Sequence, residues 1–311
     1  MDPLFNIDLF RYINEYTDLR SLCDTSVLFA SLKQYIHYKL NDNYSFMYYD
    51  DISFRNRVLS KIYNPYKQLR LDLSWCLNIE NVSALGNVHT LNLRLCDNIE
   101  DVSALGKVHN LNLSLCKNIK DVSALGNVHT LNLARCHITD VSALGKVYYL
   151  NLSGCNITDV SALGDVYDLD LSDCDDIEDV SALGKVYKLN LSMCRKIKDV
   201  SALGNVHILK LQACTISDVS ALGNVHTLNL SNCDNVEDVS ALGKVHNLDL
   251  SCCLNIEDVS ALSKVHKLDL QGCLNIKDVS ALGNVHNLTD HYITHITFSD
   301  IMALNLFDVH Y

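Results

Sequence analysis

Val225–Glu237 reads VHTLNLSNCDNVE and runs directly into DVSALG at Asp238–Gly243. The first half alternates apolar and polar residues, the period of a β-strand: Leu228 and Leu230 face one way, Asn229 and Ser231 the other. After Cys233 the apolar residues Val236, Val239 and Leu242 fall three apart, which suits a tight turn or a 3₁₀ segment. The Asp and Ser of DVS are capping residue types, because their side-chain oxygens accept from the backbone N–H groups that follow. The glycine is expected to take a backbone conformation that other residues resist, letting the chain turn back.

This block recurs. DVSALG or a near relative begins at Asn81, Asp101, Asp121, Asp140, Asp159, Asp179, Asp199, Asp218, Asp238, Asp258 and Asp278. One unit is V-x-x-L-x-L-x-x-C-(x)-x-I-x-D-V-S-A-L-G-x. A unit of about 20 residues with one strand cannot bury both of its own faces, so copies must stack and share them. The expected fold class is α/β: a solenoid of about twelve parallel strands on a concave face, with a small helical domain in front. The domain reading is 1–66 helical, 67–288 solenoid and 289–311 a terminal cap or tail.

From Leu69 to Leu288 the unit, as in His129–Ile138, resembles the leucine-rich-repeat consensus L-x-x-L-x-L-x-x-N/C-x-L. Eight units carry an extra residue between Cys and the following Ile or Val (CDNI, CLNI), whereas CHI, CNI and CTI keep the family spacing. The resemblance implies a protein-binding scaffold.

The recurring columns bear on chemistry. Cys76, Cys96, Cys116, Cys136, Cys155, Cys174, Cys194, Cys214, Cys233, Cys253 and Cys273 stand 19 or 20 residues apart. Rungs about 4.8 Å apart with parallel Cβ vectors do not suit disulfides, which need Cβ atoms near 3.8 Å and facing each other. A small buried hydrophobe with a weak donor fits better. Cys252 falls outside the ladder and is expected at the surface. His89, His109, His129, Tyr148, Tyr167, Tyr187, His207, His226, His246, His266 and His286 form a second column. Parallel imidazoles lack the convergence a metal requires, so packing at the sheet margin is expected. The Asn/Asp column from Asn92 to Asp269 lies mid-strand on the exposed face, where amide stacking along the sheet or partner contact is expected.

The net charge of −12 excludes the basic footprint of non-specific nucleic-acid binding. No run of about 18 apolar residues exists to span a membrane. MDPLFNIDLF has acids and no basic leader, unlike a secretory signal. With an odd number of cysteines, a reducing compartment is expected: cytoplasm or nucleus, of an infected host cell if the chain is viral. No phosphate loop, H-E-x-x-H or nucleophile elbow occurs. The chain therefore reads as a monomeric binding protein and not an enzyme, with no cofactor and no metal.

Identical faces carry no specificity, so a partner site belongs where rungs differ. Between Val147 and Ala213 the strand face carries Tyr149, Asp168, Asp170, Asp173, Lys188, Met193, Ile208, Lys210 and Gln212 in place of the commoner Thr, Asn and Ser. Aromatic and charged residues of this kind anchor interfaces.

Residues 1–66 hold no repeat. Leu4, Leu9, Ile13, Leu19, Leu22, Val27, Leu28, Leu32 and Ile36 recur at helical spacing, and Asp51–Ile62 predicts a further helix ending before Asn64–Pro65. Ile7–Leu9, Ile13 and DLRSLCDTSVLF from Asp18 resemble an F-box, although the usual Leu-Pro is missing. The whole is similar to repeat proteins of giant DNA viruses and some protists. The resemblance implies that Leu9, Ile13, Leu19, Leu22, Val27 and Leu28 dock to the adaptor of a cullin-type ubiquitin ligase. The alternative is a bare scaffold whose helices only cap the solenoid, with their apolar face turned to Leu71, Leu73 and Trp75.

Overall fold

In the computed structural model the described residues are 38–62 and 64–289. They fall into two compact units that divide between Ile138 and Thr139.

The first unit opens with β1 (Tyr38–Lys39), followed by α1 (Asp42–Asp50), α2 (Ile52–Lys61) and the single turn α3 (Pro65–Gln68). Asn41 caps α1 by accepting from the Tyr44 N–H, and Asp51 caps α2 by accepting from Ser53 and Phe54. Pro65 opens α3, where its missing N–H costs nothing. The helix expected at Asp51–Ile62 is present; α1 and β1 are additions to the sequence reading. DNYSFMYYD has no 3.6-residue apolar period, and α1 buries only Ser45 and Tyr48.

Four further strands follow in this unit: β2 (Leu69–Asp72), β3 (Thr90–Asn92), β4 (Asn110–Asn112) and β5 (Thr130–Asn132). All pair in parallel and in chain order, β1 on β2 included. The second unit holds eight parallel strands in chain order: β6 (Tyr149–Asn151), β7 (Asp168–Asp170), β8 (Lys188–Asn190), β9 (Ile208–Lys210), β10 (Thr227–Asn229), β11 (Asn247–Asp249), β12 (Lys267–Asp269) and β13 (Asn287–Thr289). The described residues thus hold thirteen strands, one more than the twelve expected, because Tyr38–Lys39 adds its own to the edge at Leu69–Arg70.

Every rung from β2 to β12 buries the same set: both Leu of the strand, the Ile or Val after the cysteine, the Val and Leu of DVSAL, and the Val that opens the next strand. The SAL segment is 3₁₀ in each rung, as at Ser181–Leu183. The Asp before VSAL accepts the N–H of the Ser two residues on, at 2.8 Å for Asp179 and Ser181.

Two expectations are corrected. The recurring glycine does not need an unusual backbone: Gly184 has φ −63° and ψ −10°, open to any residue. It is required by proximity, since a Cβ there would lie 2.4 Å from the carbonyl oxygen of Ala202 in the next rung. Trp75 is not covered by the described helices: it is 68% exposed, while Leu71 and Leu73 are buried.

Candidate protein-binding surface

The candidate surface is built on one turn, repeated at the end of each strand. In rung β8 the side-chain oxygen of Asn190 accepts the Ser192 N–H at 3.1 Å, and the Cys194 N–H returns to the Leu191 carbonyl at 3.2 Å. The third residue of this Leu191–Cys194 turn, Met193, has φ +66°, as a type II turn demands. Its own N–H bonds to the Gln212 carbonyl one rung on. The left-handed residue recurs just before each ladder cysteine: Trp75, Leu95, Leu115, Arg135, Gly154, Asp173, Met193, Ala213, Asn232, Cys252 and Gly272. Only three of these are Gly or Asn, the types that best tolerate such a φ. The sequence carried a signal here, Gly at 154 and 272 and Asn at 232, which the variable residue types of the other rungs masked.

The Asn/Asp column therefore does two things. It closes the turns, and at two Asn–Asp neighbours of the second unit it also binds adjoining rungs: Asn190 Nδ2 donates to Asp170 at 3.1 Å, and Asn229 Nδ2 to Asp249 at 2.9 Å.

Beneath the turn lies the cysteine ladder. In the second unit the thiols donate to the carbonyl of a Leu in the preceding rung: Cys174 to Leu152, Cys194 to Leu171, Cys214 to Leu191, Cys233 to Leu211, all at 3.1–3.3 Å. Burial pushes the Cys174 and Cys214 thiols up to about 12 and that of Cys233 up to about 11. The ladder is held protonated, a donor set unsuited to ligating metal. Among the described residues no group of three or more His, Cys, Asp or Glu is arranged to hold a metal ion. Cys252 is exposed, as its place outside the ladder implies.

Across the opposite end of the strands the His/Tyr column stacks ring on ring. In the first unit His89, His109 and His129 have centroids 4.5–4.7 Å apart. In the second, Tyr148, Tyr167, Tyr187 and His207 stack at 4.5–4.8 Å, and Tyr149 meets Tyr148 and Tyr167 edge-on. These tyrosines are 37–40% exposed.

The predicted site residues occupy adjoining rungs of the second unit. Tyr149 is exposed on β6. Asp168 on β7 pairs with Lys188 on β8 at 2.8 Å. Asp170 is already engaged: it accepts from the Ser172 N–H and hydroxyl and from Asn190. Asp173 and Met193 project from left-handed turn positions, both exposed. Ile208 is half-buried and Lys210 exposed on β9, with Gln212 half-buried beyond them. The structure thus gathers Tyr149, Lys188, Met193, Ile208, Lys210 and Gln212 along one stretch of strand face, with Tyr148, Tyr167 and Tyr187 beside it. Leu9, Ile13, Leu19, Leu22, Val27 and Leu28 lie outside the described residues, as does the terminal segment beyond Thr289.

Short parallel strands, 3₁₀ returns and an inward Leu/Cys core define a leucine-rich-repeat fold. A family model for the leucine-rich repeat matches residues 127–144 and 147–163. Among solved structures the chain is similar to an internalin, InlF, from Listeria monocytogenes (TM-score 0.51, 23% identity, 71% of this chain and 63% of that one). It is also similar to TLR13 in a complex with ssRNA13 (TM-score 0.52, 19% identity, 77% and 44%) and to the leucine-rich repeat domain of APL1B (TM-score 0.50, 15% identity, 76% and 86%). At these identities the likeness concerns the fold. The chain spans just under two thirds of the internalin's length. No curated protein matches the sequence. No described helix is long and apolar enough to cross a membrane.

Proposed function

We propose that this chain recognises another protein on the strand face of its second unit, between Tyr149 and Gln212, as a monomer and without catalysis. One observation carries the reading: exposed Tyr149 and half-buried Ile208 stand where other rungs commonly have Thr or Asn, solvent-facing Lys210 stands in the Asn/Asp column, and exposed Tyr148, Tyr167 and Tyr187 replace His beside them. Such residues anchor interfaces. The leucine-rich-repeat fold serves protein recognition, and the net charge of −12 favours a protein over the RNA bound by TLR13. Once a partner is captured by proximity labelling, Tyr149→Ala and Lys210→Glu should each weaken binding more than Thr90→Ala or Asn247→Ala. Equal losses at all four positions would sink the reading.

The order of the chain, helices before repeats, supports an F-box-type role for residues 1–66, in which Leu9, Ile13, Leu19, Leu22, Val27 and Leu28 engage a ubiquitin-ligase adaptor in cytoplasm or nucleus, with the rungs holding a substrate. The ladder of protonated thiols suits a reducing compartment. The specific observation on the other side is that Tyr48, Phe54 and Val58 are buried and that Ser45 Oγ accepts the Asp72 N–H of β2, so the described helices serve as a cap. A pull-down of purified adaptor by the full chain, and by the full chain carrying Leu22→Asp and Leu28→Asp, separates the two. Adaptor retained only by the unsubstituted chain supports the receptor; adaptor retained by neither leaves the cap alone.

A further inference from the structure

The last residue of each strand from β2 to β12 is Asn or Asp in ten of eleven rungs, and in each its side-chain oxygen accepts the N–H two residues on, at 2.9–3.2 Å. Rung β9 departs from this. Lys210 has no acceptor to offer, so the turn at Gln212 forms without that bond. In the same column Lys210 alone is exposed; the ten Asn and Asp residues are half-buried. A rung that gives up a structural hydrogen bond for a solvent-facing ammonium has traded stability for something else.

The ammonium is also unclaimed. The ion pairs of the described residues use Lys188, Arg195, Lys196 and Lys277, never Lys210. Its strand neighbours are Asn190 and Asn229, both neutral. The column's nearest carboxylates, Asp170 and Asp249, lie two rungs away on either side, about 9.6 Å by strand spacing, and each holds its own turn. Asp168 is neutralised by Lys188. On the same strand and face stands Ile208, apolar where its neighbours are Lys188 and Thr227. The distance from position 208 to 210 is that of two residues of extended chain, about 6.7 Å.

We infer that rung β9 takes an extended, acidic segment of the partner protein, with an Asp or Glu carboxylate on Lys210 and an apolar side chain two residues away on Ile208. A segment lying along the strand has the same two-residue spacing, so both contacts form together. The carboxylate–ammonium bond is charge-assisted. The chain's overall negative charge does not forbid it, because screening at physiological salt confines such repulsion to about 8 Å. The inference rests on the proposed strand-face recognition and names the chemistry of its ligand.

The test is a selection of random linear peptides displayed on phage against the full chain, followed by fluorescence anisotropy on the synthesised winners. Winners should carry Asp or Glu two residues from a large apolar residue. Lys210→Asn should weaken them at least about tenfold, yet melt no lower than the parent because Asn restores the turn bond. Lys210→Arg should retain them, and Ile208→Ala should weaken them. Enrichment of peptides without acids overturns the inference, as does unchanged affinity in Lys210→Asn. If those peptides are still weakened by Tyr149→Ala, recognition on the strand face stands and only its acidic ligand fails. If no strand-face substitution affects any winner, both fall.

Discussion

The thiol of Cys194 lies 3.1 Å from the carbonyl oxygen of Leu171, one rung back, and donates its proton to it. A group both buried and raised far above ordinary thiol values has almost no thiolate to react. Native protein treated with iodoacetamide should therefore label at exposed Cys252 and not at Cys194, by peptide mass mapping, with both labelled in guanidinium. Equal native reactivity would contradict the ladder. Cys194→Ala should cost about 1–3 kcal/mol in denaturant unfolding, because it strands a buried acceptor.

Gly184 faces the Ala202 carbonyl so closely that an added Cβ would lie 2.4 Å away. Gly184→Ala should lower stability by about 1–3 kcal/mol, the usual cost of overpacking, despite a φ and ψ that suit alanine. Were the glycine needed only for backbone freedom, the φ of −63° predicts a neutral or stabilising change, so the sign of the effect decides.

Left-handed Met193 makes the opposite forecast. Met193→Asn should stabilise the fold by up to about 1 kcal/mol, since Asn tolerates this region better, and Gly154→Ala should destabilise by about 1–2 kcal/mol. Thermal melts of the two variants should shift in opposite directions. If Met193 is an anchor, the first variant also binds the partner less well.

Acid should act in two windows. Desolvation first, and His109 second, lower the pKa of His129. The unfolded chain then binds more protons, so this contribution to stability is present above about 6.5 and lost as pH falls below it. Hydrogen bonds from the Ser two residues on, amide and hydroxyl, lower the pKa of Asp101, Asp140, Asp179 and Asp238, the carboxylates that precede VSAL, below 3.8. Their contribution is present above 3.8 and is lost as pH falls through their lower folded values. Melts at pH 7.5, 5.5 and 3.5 should show a small loss and then a larger one. His129→Gln should abolish the first and leave the second.

Much of this was legible because a repeat announces itself. Leu228, Leu230 and Cys233 place strand, core and turn without any structure, and the register of β10 on β11 follows from spacing alone. What escaped was set by neighbours absent from the local pattern. Gly184 reads as a turn residue until Ala202 is seen above it. Asp170 reads as a free carboxylate until Ser172 and Asn190 are found on it. The exposed character of Lys210 was legible, as the odd residue in a column of Asn and Asp; its meaning was not, because the turn bond it forgoes exists only in three dimensions. Helix α1 was invisible for a different reason: its stability comes from the Asn41 cap and from Tyr48, not from an apolar stripe.

Among the described residues of the second unit, rungs β7 and β8 are the most heavily ion-paired. Asp168 meets Lys188, Asp175 meets Arg195 and Asp176 meets Lys196, at 2.8, 3.9 and 2.8 Å. Exposed pairs like these add little to stability, but near-identical rungs pose a different problem, that of docking on the wrong neighbour while the chain folds. A stack that skipped one rung would set Asp168 against Ile208 and the acid-rich turn of β7 against Thr215, leaving Asp168, Asp175 and Asp176 without their cations and the Lys and Arg of β8 looped out. Opposite charges on consecutive rungs thus act as an address in a chain that otherwise repeats itself. Exchanging the two sets tests this: Asp168→Lys, Asp175→Lys and Asp176→Lys combined with Lys188→Asp, Arg195→Asp and Lys196→Asp should preserve refolding yield. The three substitutions on β8 alone, which make both rungs acidic, should lower it.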